Sequence, residues 1–166
     1  MRHAKADARQ PEQDDFDRPL APAGRADAAR VAGFLSAEGL APALVICSAA
    51  RRAEETWACL AQQLGDAIDL KMDEDLYSAM PAGMLQAVRE APAAASPLLL
   101  IGHNPGMEML ARSLAGRASA PAACKGLNFD YPSSGLAVIE FDIETWPDAA
   151  PGEGRLTHFI TPKTLA

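Results

Sequence analysis

Cysteine is scarce in this chain and shows no pairing pattern. Its 166 residues hold three, Cys47, Cys59 and Cys124, an odd number with no close pair. That argues against both a disulfide framework and a structural zinc site. Positive charge is short as well. Lys and Arg number 15 against 22 Asp and Glu, a net charge of −7, and no basic stripe offers itself to a nucleic-acid backbone. No apolar run approaches the roughly 20 residues of a membrane-spanning helix, and no signal-peptide pattern opens the chain. A cytoplasmic protein with neither nucleic acid nor membrane as partner is therefore expected. Repeats and low-complexity blocks are missing too. The turn Gly102-His103-Asn104-Pro105-Gly106 lacks the Gly-Lys-Ser/Thr ending of a nucleotide P-loop. Ser133-Ser134, before a glycine, lacks the pattern of a nucleophile elbow.

What is present is an alternation of strands and helices in one domain, residues 1–166, long enough to bury a core. Residues 4–22 are polar and proline-containing and read as a loop. Ala28, Val31, Ala32 and Leu35 recur at helical spacing between Gly24 and Glu38, and Gly39 stops that helix. Ala43 to Cys47 and Leu98 to Ile101 are short continuous apolar runs, suited to strands buried on both faces. Ser48 is placed to cap a helix from Arg51 to Leu64. Further helices are predicted from Pro81 to Arg89 and from Pro105 to Leu114. Weaker strands are predicted at 67–72, 136–141 and 156–160, with an irregular loop over 117–135. This order predicts an α/β three-layer sandwich, a mainly parallel central sheet flanked by helices.

Ligands in open α/β sheets bind at the carboxyl ends of the strands. Ser48 to Thr56 and Gly102 to Gly106 each follow a predicted strand, so Arg52 and His103 are expected at that edge. The N-terminal pair Arg2-His3 suits the same place. Phosphoryl transfer to a side chain needs a nucleophile that is unprotonated near neutral pH, and imidazole meets this without a separate base. The phosphoryl oxygens need fixed positive charge, which the planar fork of Arg supplies. His3, Arg2, Arg52 and His103 satisfy those needs with no metal or cofactor. Taken singly, each piece is ordinary: a solvated N-terminal dipeptide, two surface arginines at a helix start, a strand-to-helix turn. Together and in order they are not.

The ordered set resembles the histidine phosphatase superfamily with its phosphoglycerate-mutase-like fold, and within it the small SixA-type phosphohistidine phosphatases. The matching pieces are Arg2-His3-Ala4-Lys5, Asp17-Arg18-Pro19-Leu20 with Gly24, Ser48-x-x-x-Arg52-Ala53-Glu54-x-Thr56, Asp75-Leu76-Tyr77, Gly102 to Gly106, and a tail from Gly152 to Lys163. The resemblance implies that His3 is the phosphorylated nucleophile and that Arg2 and Arg52 bind the phosphoryl oxygens. It implies His103 as the second histidine of the pocket and Arg18 as a further phosphate ligand. Related mutases and broad phosphatases carry a general acid in the segment corresponding to residues 73–77, where Asp75 is the candidate, with Asp73 and Glu74 competing. The expected partner is a phosphohistidine-bearing protein, such as a phosphorelay component, or a small phosphomonoester. Two other activities stay open: a general phosphomonoesterase using Asp75 as acid, and an inert phosphate- or phosphopeptide-binding domain. Relatives place several apolar residues before the Arg-His pair as a central strand, whereas here only Met1 precedes it. A truncated first strand, with a functional start upstream, is expected.

Overall fold

The structure, a computed structural model, describes residues 1–65 and 67–165. Helix α1 (Pro22–Ala37) is followed by β1 (Leu44–Ser48), α2 (Arg51–Leu64) and β2 (Asp69–Asp73). A short turn of 3-10 helix (Asp75–Ser78) leads to α3 (Pro81–Arg89), β3 (Leu98–Ile101) and α4 (Gly106–Leu114). Helix α5 (Pro121–Phe129), β4 (Leu136–Glu140) and β5 (Arg155–Ile160) complete the order. β2, β1 and β3 form a parallel sheet in that order, with Val45 opposite both Leu70 and Leu99. β4 and β5 pair antiparallel.

The continuous apolar runs of β1 and β3 are explained by their two covered faces. Alternate residues of a strand point to opposite sides. Val45, Cys47, Leu99 and Ile101 pack with Val31 and Leu35 of α1 and Leu60 of α2. Ile46 and Leu100 turn the other way, onto Met84 and Val88 of α3 and Leu110 of α4. β2 is an edge strand, mostly exposed, and its Asp69, Lys71 and Asp73 suit the charged composition that keeps an edge from recruiting another strand.

The chain's first residues fill a short span between β3 and β4. The Met1 amine donates to Leu100 O at 2.7 Å. Gly102 N–H donates to Met1 O and His3 N–H to Gly102 O. On the other side, Arg2 N–H donates to Gly135 O at 2.9 Å and Ser134 N–H to His3 O at 3.1 Å. The backbone polar groups of Met1, Arg2 and His3 are thus paired on both flanks. Burial lowers the Met1 amine from 8.0 to about 5. Next to it lies an apolar cavity of about 490 Å³ lined by Met1, Leu98, Leu99, Leu100, Leu136 and Val138 among others.

Two sequence expectations change. Residues 121–129, read as part of an irregular loop, form α5. Pro121 sits in the first turn, where its fixed φ is favourable, and Ala123 and Leu127, four apart, bury one face against Leu156 and Phe159. Ser48 is not the N-cap of α2. That position is Ala50, and the Ser48 hydroxyl accepts Ala50 N–H at 3.3 Å while also bonding to His103.

Candidate active site

At the carboxyl ends of β1 and β3, five chain segments meet in a cleft of about 410 Å³. The N-terminal segment contributes Arg2 and His3, the turn after β3 contributes His103 and Asn104, and the first turn of α2 contributes Arg52. The loop before α1 adds Asp15 and Arg18, and the 3-10 turn adds Tyr77. The larger apolar cavity beside Met1 holds no comparable cluster of ionisable side chains.

His3 and His103 are both buried, with ring centroids 4.9 Å apart. His3 Nδ1 lies 2.7 Å from Ala4 O. A carbonyl can only accept, so Nδ1 carries the proton and Nε2 keeps its lone pair. That nitrogen faces the Nε–H of Arg52 at 3.3 Å. Burial lowers His3 from 6.5 to about 4; the bond to Ala4 O opposes this, and Arg52, Arg2 and Arg18 add to it. His103 is lowered to about 3, by burial first and then by His3 and Arg52. Its Nε2 lies 2.8 Å from Ser48 Oγ, while its Nδ1 is buried and has no partner. The Ser48 oxygen accepts Ala50 N–H with one lone pair, and the hydroxyl can either donate to His103 Nε2 or accept from it.

Arg52 is the hub. Beyond His3, its NH1 donates to Asp15 O at 2.5 Å and its NH2 to Asp15 Oδ2 at 2.9 Å. The guanidinium also lies 5.5 Å from the centre of the Tyr77 ring, a cation–π distance. Tyr77 donates its hydroxyl to the same Asp15 Oδ2 at 2.8 Å. Arg18 NH2 is 3.4 Å from Asp15 Oδ1. Burial raises the Asp15 carboxyl, but the Tyr77 hydrogen bond and the Arg52 and Arg18 charges outweigh that and hold it below its ordinary value. Arg2 donates to Tyr131 O at 2.9 Å, and its Nε is buried without a partner.

Of the residues singled out from the sequence, Arg2, His3, Arg18, Arg52 and His103 line one cleft. Arg51 points away, onto Glu55 at 2.8 Å. Asp75 does not line the cleft. It is exposed at the start of the 3-10 turn, where its N–H donates to Asp73 Oδ1. Sequence reasoning missed Asp15 and the Ser48 contact to His103, and it quoted Thr56 without assigning it a role. The Thr56 hydroxyl accepts Ala4 N–H at 3.0 Å and donates to Arg52 O at 2.6 Å. Tyr77 was within reach, since it ends the quoted Asp75-Leu76-Tyr77 match.

Comparisons with known proteins point to one superfamily. The family model described as histidine phosphatase superfamily (branch 1) matches residues 1–80. An uncharacterized protein of Mycobacterium tuberculosis (strain H37Rv) is 34% identical over 164 residues, covering 98% of this chain and 100% of its own. A candidate phosphohistidine phosphatase SixA from Nakamurella multipartitia superposes with a TM-score of 0.85 at 27% identity, over 98% of this chain and 93% of that one. A second candidate SixA structure, from Agrobacterium tumefaciens, gives 0.81 at 29% identity, over 98% and 95%. The chain belongs to the histidine phosphatase superfamily, branch 1.

Proposed function

We propose that this chain is a phosphohistidine phosphatase that works through a phosphorylated His3. The observation that carries the reading is the state of His3. Its Nδ1 proton is held by Ala4 O, so Nε2 presents a lone pair to a cleft walled by Arg2, Arg18, Arg52 and His103.

In the first step Nε2 attacks phosphorus as the bond to the leaving group breaks, with that electron pair departing on the leaving atom. Arg2, Arg18 and Arg52 hold the phosphoryl oxygens, and His103 stands beside His3 in the same cleft. Such pre-positioned donors and cations carry most of the work in phosphoryl transfer. In the second step water attacks the phosphorus of phospho-His3. The N–P bond breaks with its electrons returning to Nε2, and the water's proton passes to the phosphate released.

The leaving group selects the substrate. An alkoxide needs a proton from a general acid, help worth about 10²–10⁴-fold. Among the described residues, the one carboxyl group lining the cleft is Asp15, and its neighbours keep it ionised. A phosphohistidine ring that already carries a proton on its second nitrogen departs as neutral imidazole without that help. Phosphohistidine on a protein, with a phosphorelay component as the partner, fits these residues better than an alkyl phosphomonoester.

The test is to trap the intermediate. Incubation with a phosphohistidine substrate and acid-free quenching should leave a base-stable, acid-labile label on the wild type and none on His3→Ala. Turnover by wild type with an undiminished label on His3→Ala, or turnover surviving that substitution, would sink the proposal.

A further inference from the structure

Phosphoryl binding alone gives no reason for a carboxylate in this cleft. Asp15 repels a phosphate dianion, and it spends two donors that a phosphoryl group could use. Its position offers another role. His3 and His103 lie at the buried end, both 7% exposed, whereas the Asp15 side chain is 35% exposed. The Arg52 guanidinium stands between, with Nε toward His3 and its terminal nitrogens toward Asp15. A phosphoryl group on His3 Nε2 therefore has Asp15 on its outward side, the side from which substrate arrives and the leaving group departs. The two carboxylate oxygens are unequally used. Oδ2 accepts from both Arg52 and Tyr77, while Oδ1 has only Arg18 at 3.4 Å, long for a charge-assisted bond. Oδ1 is an ionised acceptor with capacity to spare, on a residue that lines the cleft.

We infer that Asp15 reads the leaving group, its Oδ1 accepting the ring N–H of a phosphohistidine imidazolium. This rests on the proposed function and adds the residue that sets substrate class. A phosphohistidine ring that carries a proton on its second nitrogen is a cation at the outward end. That proton stays on the ring through the reaction. As the N–P bond breaks, its electron pair neutralises the ring, which leaves as neutral imidazole still bonded to Asp15, while Nε2 of His3 takes the phosphoryl group. No proton has to be delivered. An alkyl or aryl phosphate brings no cation and no N–H, so Asp15 opposes it by charge.

The experiment compares kcat/KM on phosphohistidine and on p-nitrophenyl phosphate for wild type, Asp15→Asn and Asp15→Glu. A hydrogen bond to a charged group corresponds to about 10- to 100-fold in rate. Asp15→Asn should lose about that much on phosphohistidine and gain on p-nitrophenyl phosphate, so that the two move in opposite directions. Asp15→Glu should retain the phosphohistidine preference. If both substrates fall together in Asp15→Asn, the residue only positions Arg52; if both rise together, it only blocks the phosphoryl seat. Either result overturns the inference. A wild type silent on phosphohistidine would sink the function itself. A wild type with a preference that Asp15→Asn leaves intact would sink only the role of Asp15.

Discussion

Thr56 ties the nucleophile to its arginine, and replacing it by valine tests how much that tie is worth. The side chain is fully buried. Its hydroxyl accepts the N–H of Ala4, the residue after His3, at 3.0 Å. It also donates to Arg52 O one turn back on α2. Valine keeps the volume and removes both bonds. The Arg52 carbonyl loses little, since a helical carbonyl still has its backbone partner. The Ala4 N–H loses its acceptor at a buried position, which costs about 1–3 kcal/mol. Burying a methyl in place of the hydroxyl returns a fraction of this. A net destabilisation of about 1–2 kcal/mol follows, or several degrees in Tm for a chain of this length, at about 2–4 °C per kcal/mol. Thr56→Ser, which keeps the hydroxyl, should lose less. Urea unfolding at pH 7 measures the first quantity, and kcat on p-nitrophenyl phosphate measures the displacement of His3. If Thr56→Val unfolds within 0.5 kcal/mol of wild type, by an order-of-magnitude threshold for a surface change, with kcat unchanged, the coupling does not exist.

Two further outcomes follow from the same geometry. A Cβ on Gly24 would stand 2.1 Å from Lys5 O and 2.9 Å from Lys5 N, so Gly24→Ala must push α1 away from the segment that follows His3; a loss of about 1–3 kcal/mol and a fall in kcat are expected, and an unshifted urea midpoint would contradict the contact. With His3 lowered from 6.5 to about 4 and His103 to about 3, the unfolded chain binds more protons than the folded one below pH 6.5, so stability should fall as pH drops from 6.5 toward 4 and the His3 contribution should level off below that; urea midpoints from pH 7 to 4 that do not fall, or fall no less in the His3→Ala, His103→Ala double variant, would refute the buried neutral pair.

Much of this site was legible because its main groups sit on local landmarks. Arg52 and His103 each follow a continuous apolar run, and such runs become the covered strands β1 and β3, whose carboxyl ends face the cleft. Asp15 had no such landmark. Its meaning comes from Arg52 and Tyr77, which lie 37 and 62 residues away in sequence, and nothing in a polar loop announces donors that distant. Helix α5 was hidden for another reason. Its stability comes from seating Ala123 and Leu127 on β5 and its neighbours, and short helices draw on tertiary packing more than on propensity. The N-terminal segment was legible as the carrier of Arg2 and His3. What the sequence could not supply was the pairing of its few polar groups with Gly102 on one side and Ser134 and Gly135 on the other.

Helix α2 explains why these distant pieces arrive together. Residues four apart share a helical face. Arg52 and Thr56 form the inward pair, one aimed at His3 and the other holding the backbone just beyond it. Arg51 and Glu55 form the outward pair, and they anchor the loop that carries Asp15. Arg51 N–H donates to Phe16 O at 3.0 Å, and Glu55 accepts Leu20 N–H at 2.9 Å. Arg25 and Arg51 hold the Glu55 carboxylate in place. One helix thus positions the His3 segment from one face and the Asp15 loop from the next. In the stretch Ser48 to Thr56 only Arg52 was read as a phosphate ligand, and Arg51, Glu55 and Thr56 around it hold neighbouring backbone. A change at Glu55 therefore reaches the cleft through the loop that carries Asp15, and through Asp15 the Arg52 guanidinium.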